Sequence, residues 1–139
     1  VVDKRVPQAL LKIPAIELTV PLLDGIDEVT LNRGVGRIPG MARYLDDGGN
    51  YGIAGHRDGY FRGLKDIGVG DTIEVVTLTD TFSYRVDDIS IIPKNDLSVL
   101  QPTEEQVLTL VTCYPFYFVG HAPERYIVKA VLDEKNTRT

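Results

Sequence analysis

One cysteine, two histidines and an arginine at a strand start carry the chemistry this chain could perform. Cys113 closes the β-branched run Thr109-Leu110-Val111-Thr112-Cys113, where a strand breaks into Tyr114-Pro115-Phe116. A lone thiol forms no internal disulfide, so it is either buried filler or a nucleophile. Its place at a strand end, where the chain leaves the sheet for solvent, favours the nucleophile. After a loop rich in aromatics comes a second strand-like run, Arg125 to Leu132. Antiparallel pairing of the two runs as neighbours sets Cys113 beside Arg125. Alternation then puts Tyr126, Val128, Ala130 and Leu132 on one face, and Arg125, Ile127, Lys129 and Val131 on the other, outer one. A guanidinium there supplies fixed, permanently charged donors for a developing oxyanion or a substrate carbonyl.

A thiol also needs a proton acceptor. His56 ends Gly49-Asn50-Tyr51-Gly52-Ile53-Ala54-Gly55-His56, a strand-like segment whose glycines permit close backbone approach. His121 lies in the loop between the Cys and Arg strands and reads as a loop residue. His56 is the better base, because its glycines leave the imidazole unshielded and thiol catalysis commonly pairs a Cys with a His distant in sequence. No third residue of the papain type is obvious, although Asp58, two positions on, is placed to tilt or charge the ring.

The elements that must hold these residues are short strands separated by turn signals. Leu10 to Val20 offers one strand broken by Pro14, Tyr51 to Gly55 the next, and Thr72 to Leu78 a clear one with Asp80 at its turn. Thr81 to Val86 and Ile89 to Ile92 follow. Helix is scarce: Asp27 to Arg33 and Phe61 to Ile67 are short candidates, and Pro102-Thr103-Glu104-Glu105-Gln106 resembles a capping box. Few helices among regularly spaced strands read as an all-β barrel or sandwich. At 139 residues the chain reads as one domain, 1–139. Its 43% hydrophobic content is ordinary for a globular protein, and a net charge of -5 argues against a nucleic-acid partner. No run approaches the roughly 18 apolar residues of a membrane span, and no signal-peptide pattern opens the chain.

Thr-Leu-Val-Thr-Cys113, with Arg125 after a loop and Ala54-Gly55-His56-Arg57 before it, resembles the sortases, the cysteine transpeptidases that join proteins to bacterial cell walls or into pili. The likeness covers nearly the whole chain, including Lys12-Ile13-Pro14-Ala15-Ile16, Gly48-Gly49-Asn50 and Gly70-Asp71. The ending Thr112-Cys113-Tyr114-Pro115-Phe116, with Gly120 and Ala122-Pro123-Glu124-Arg125, is most similar to class D. His121 departs from the small or neutral residue expected there. The resemblance implies a closed β-barrel of about eight strands with one or two short helices, and catalytic roles for His56, Cys113 and Arg125. It also implies cleavage of a Leu-Pro-any-Thr signal before Gly or Ala through a thioacyl-enzyme. The acyl group would pass to an amine of peptidoglycan or a pilin, with hydrolysis as a side reaction. By the same likeness, an N-terminal membrane anchor, absent from these residues, would hold the enzyme on the extracytoplasmic face of the bacterial membrane. Thr112, Tyr114, Phe116 and Asp58 are the expected substrate-binding residues, with part of the aromatic cluster Tyr114, Phe116, Tyr117 and Phe118 forming the groove wall.

Each feature also has a plainer reading. A Cys in an apolar strand is commonly structural, and a His after Ala-Gly is as often a turn residue. No cofactor or metal is expected. A zinc site from His56, His121, Cys113 and Asp58 lacks paired ligand spacing. The acid pairs Asp46-Asp47, Asp87-Asp88 and Glu104-Glu105 read as solvated turns rather than as a calcium site of the kind some sortases use. Two readings from other classes stay open: a cysteine hydrolase with water as acceptor, and a noncatalytic β-barrel binding module with Cys113 buried.

Overall fold

A computed structural model describes residues 7–45, 48–114 and 123–137, with the backbone alone of Cys113, Tyr114 and Thr137. Within these residues eight strands close into a barrel: β1 (Ala9–Ile13), β2 (Leu18–Asp24), β3 (Val35–Arg37), β4 (Asn50–Ala54), β5 (Thr72–Val76), β6 (Asp80–Pro93), β7 (Val107–Tyr114) and β8 (Glu124–Thr137). Around the barrel they run β1-β2-β3-β4-β7-β8-β6-β5, and β5 pairs back onto β1. This is the barrel expected from the sequence.

Strand alternation builds the core. Leu108, Leu110, Val128 and Ala130 have no solvent exposure and point inward, as do Leu11, Ile53, Ile73 and Val75 on other strands. Each fully buried Leu, Ile or Val contributes roughly 1.5–3 kcal/mol relative to exposure.

The connections depart from expectation in four places, each for a local reason. The segment Leu10 to Val20 is two strands, not one: Pro14 opens a 3₁₀ turn over Pro14–Ile16, and Glu17 closes it in the left-handed region at φ 53. Strand β1 therefore folds back on β2 with Ile13 opposite Leu18. Thr81 to Ile92 is the converse, lying within the single 14-residue strand Asp80–Pro93, whose register shift between Val86 and Asp88 absorbs an extra residue where Asp87-Asp88 suggested a turn. The three residues of β3 are too short to show a period, and they pair parallel with β2 after a crossover. Pro102 to Gln106 opens no helix. The Thr103 hydroxyl donates to the Glu105 carbonyl instead of receiving a helical amide, and the Gln106 side chain reaches back to the Leu45 carbonyl.

Two expectations concerning helices hold in shortened form. The crossover between β2 and β3 carries α1 (Glu28–Arg33), capped by the Asp27 carboxylate, which accepts the Thr30 amide at 3.0 Å. Arg62–Asp66 forms a 3₁₀ turn inside the expected Phe61 to Ile67 segment, with Leu64 fully buried. No helix among the described residues is long and apolar enough to cross a membrane.

Candidate active site

Strand direction decides which end of the barrel can hold a catalytic cluster. Strands β4 and β7 are parallel, so their C-terminal ends emerge together, and β8 runs antiparallel to β7, so it begins where β7 ends. In that register Cys113 lies directly opposite Arg125, as expected from antiparallel pairing of the two runs as neighbours.

Two hydrogen bonds carry His56 to the same end. Beyond the last paired residue of β4, the Gly55 amide donates to the Val111 carbonyl at 3.2 Å, and the Thr112 hydroxyl donates to the Gly55 carbonyl at 2.8 Å. His56 follows at once. Its own carbonyl accepts the amides of Gly59 and Phe61, which turns the chain back toward the core. The Phe61 ring is fully buried and sits 2.6 Å from where a Cβ on Gly55 would stand, so only glycine lets this ring close beneath the His56 strand end.

The imidazole is 32% exposed, and its Nε2 lies 3.8 Å from a carboxylate oxygen of Glu28 on α1. Asp58, the carboxylate that the sequence offered for this role, is exposed, and among the described residues Glu28 is the acid paired with His56. Sequence reading missed Glu28 because the contact depends on where the crossover helix lands. On β8 the half-buried Arg125 donates from Nη1 to the Glu124 carbonyl at 2.9 Å, which steadies the guanidinium beside position 113.

Below these groups the outer faces of β4 and β7 form a floor. Asn50 pins a cover over its lower part: its amide nitrogen donates to the carbonyls of Val99 and Gln101, and its oxygen accepts the Thr109 hydroxyl at 2.6 Å. A cleft of about 340 Å³ lies between the segments 40–42 and 48–50 on one side and 100–104 on the other. Met41 crosses the floor above Gly52, where a Cβ would collide with its sulfur. Ala54 and Val111 remain only partly covered toward the His56 end.

Of the expected substrate-binding residues, Thr112 is 2% exposed, with its hydroxyl committed to Gly55. It braces β7 against the His56 segment and offers no surface to a groove. The Tyr114 side chain, Phe116 and His121 lie outside the described residues, as do Asp46 and Asp47. Among the described residues no three acidic, His or Cys side chains gather as metal ligands.

Known proteins resemble the chain over most of its length. The sortase domain family model matches residues 11–133. Over 120 residues the chain is 36% identical to sortase D of Bacillus subtilis, covering 86% of this chain and 60% of that protein. Over 130 residues it is 32% identical to sortase SrtE1 of Streptomyces coelicolor, covering 77% of this chain and 36% of that protein. The chain thus spans less than two thirds of these relatives. Among solved structures, a Clostridium perfringens sortase D5 transpeptidase superposes with a TM-score of 0.84 at 31% identity, covering 96% of this chain and 83% of that one. Sortase A of Listeria monocytogenes, at 20% identity and a TM-score of 0.86, shares the fold.

Proposed function

The chain belongs to the sortase family, and from that premise we propose that it is a cysteine transpeptidase acting through Cys113, His56 and Arg125. The observation that carries this reading is the register: Cys113 opposite Arg125, with the Thr112 to Gly55 hydrogen bond bringing His56 to the same strand ends.

In this reading the Cys113 thiolate attacks the carbonyl carbon of a peptide bond in a sorting signal of the Leu-Pro-any-Thr type, before Gly or Ala. The tetrahedral oxyanion is held by the Arg125 guanidinium and a backbone N–H near Tyr114. His56 donates a proton to the leaving amine as the C–N bond breaks, which leaves a thioester on Cys113. A second amine, from a peptidoglycan cross-bridge or a pilin lysine, then attacks the thioester. His56 removes its proton, and the thiolate departs. The route is ping-pong, and water acting in place of the amine gives hydrolysis.

The partly covered floor at Ala54 and Val111 supports an extended substrate, since four residues of extended chain span about 13 Å. Tyr114, Phe116 and Asp58 remain proposed contacts for that substrate. Sortases work at the cell envelope, and a membrane anchor preceding this domain, on the extracytoplasmic face, completes the proposal. No metal enters any step.

Intact-mass spectrometry after incubation with a Leu-Pro-any-Thr-Gly or -Ala peptide tests it. A mass gain equal to the N-terminal peptide fragment, absent in Cys113→Ala and discharged faster by an added amine, is the expected result. Discharge at one rate with or without amine would make the protein a hydrolase. No adduct across a panel of such peptides, with Cys113 inert to a thiol reagent, would leave a binding module.

A further inference from the structure

We propose that Glu28 is a positioning residue that orients the His56 imidazole, an inference that rests on the reading of His56 as the base. The two acids at the start of α1 divide their work. The Asp27 carboxylate accepts both the amide and the hydroxyl of Thr30 and so caps the helix. Glu28, next in the chain, extends toward the barrel end, and its Oε1 lies 3.8 Å from His56 Nε2. Thr30 and Leu31 are the buried residues of α1 and anchor the helix on the barrel, which fixes where Glu28 stands.

The two ring nitrogens of a histidine are not equivalent, and the partner of one sets which carries the proton. A carboxylate beside Nε2 favours the tautomer with hydrogen on Nε2. That leaves Nδ1 as the nitrogen open to the thiol and to the leaving amine. The other charged groups at this end are Arg57 and Asp58 in the loop that follows His56, and Arg125 at the start of β8. Of these only Asp58 could accept from the ring, and it is exposed and unpaired with His56 among the described residues.

A separation of 3.8 Å is an ion-pair distance, longer than a hydrogen bond. The Glu28 side chain is 83% exposed, so a torsional adjustment can shorten it. The same exposure limits its weight, because solvent-exposed pairs are weak. The effect is therefore several-fold, unlike the collapse that follows loss of a buried triad carboxylate.

The test compares single-turnover acylation by a signal peptide in wild type, Glu28→Ala, Glu28→Gln and His56→Ala. We expect Glu28→Ala to slow acylation about 3- to 10-fold with little change in half-saturating peptide, and Glu28→Gln, whose amide oxygen still accepts, to recover part of it. Long-range ¹H–¹⁵N spectra of the neutral ring should show hydrogen on Nε2 in wild type and a tautomer mixture in Glu28→Ala. Wild-type acylation and an unchanged tautomer in Glu28→Ala, with His56→Ala inactive, would overturn the role of Glu28 alone. Full acylation by His56→Ala would overturn the base assignment beneath it.

Discussion

Inside the barrel Leu110, Ile53 and Val128 have no solvent exposure, whereas three residues beyond Ile53 His56 keeps about a third of its side chain in water and faces a carboxylate that is mostly exposed. The same strands build both regions. In the interior the neighbours are mostly apolar and the close fit supplies stability. At the strand ends charged and polar groups stand half in solvent, where packing gains little and reactivity needs access. The difference implies that stability and activity can be perturbed almost separately, because the groups that provide them lie on opposite faces or at different depths of the same strands.

Leu110→Ala breaks the comparison from the interior side and should have the largest effect. Leu110 is fully buried, pairs with Val128 across β7 and β8, and faces Ile53 across β7 and β4. Its truncation should cost about 2–5 kcal/mol. Urea unfolding should show an earlier midpoint, while acylation per folded molecule, with the folded fraction taken from the same unfolding curve, stays near wild type. A matching collapse in the rate of the folded fraction would mean that the core sets the geometry of the site.

Arg125→Lys tests the other side. It keeps the charge but loses the planar fork, so acylation should fall about 100-fold, or roughly 2.7 kcal/mol of barrier. The unfolding midpoint should hardly move, since Arg125 is only half buried, stands at the end of the barrel, and keeps its charge as lysine. Near wild-type turnover would remove Arg125 from the proposed mechanism.

Legibility followed the same division. The runs Thr109 to Cys113 and Arg125 to Leu132 read as strands, and their antiparallel pairing as neighbours puts Cys113 beside Arg125, which is the register found. A barrel follows from many such strands. What pattern could not supply is anything decided by chain reversal or long-range landing. The reversal at Glu17, the three-residue β3 and the bulge after Val86 each lack a period to read. Asn50 resembles an ordinary loop polar residue until the fold brings Val99, Gln101 and Thr109 around it. Glu28 reads as a routine first-turn acid, and only the position of α1 makes it a neighbour of His56.

Thr112→Val is the smallest and sharpest perturbation, because Thr112 belongs to both regions. Its side chain is buried like the core, yet its one hydrogen bond ends on the carbonyl immediately before His56. Valine has nearly the same shape but no hydroxyl, so the change opens no cavity and leaves the Gly55 carbonyl without that donor. An unsatisfied buried acceptor costs about 1–3 kcal/mol, and the retained Gly55 amide bond to Val111 should hold the loss toward the lower end. The rate should fall as well, by several-fold, since the segment carrying His56 loses one of its two ties to β7. Unfolding and acylation measured on the same preparation separate the contributions. A loss of stability with an unchanged rate would show that the Gly55 to Val111 bond suffices to tie the His56 segment to β7, and a change in both would place the boundary between the two regions at Thr112.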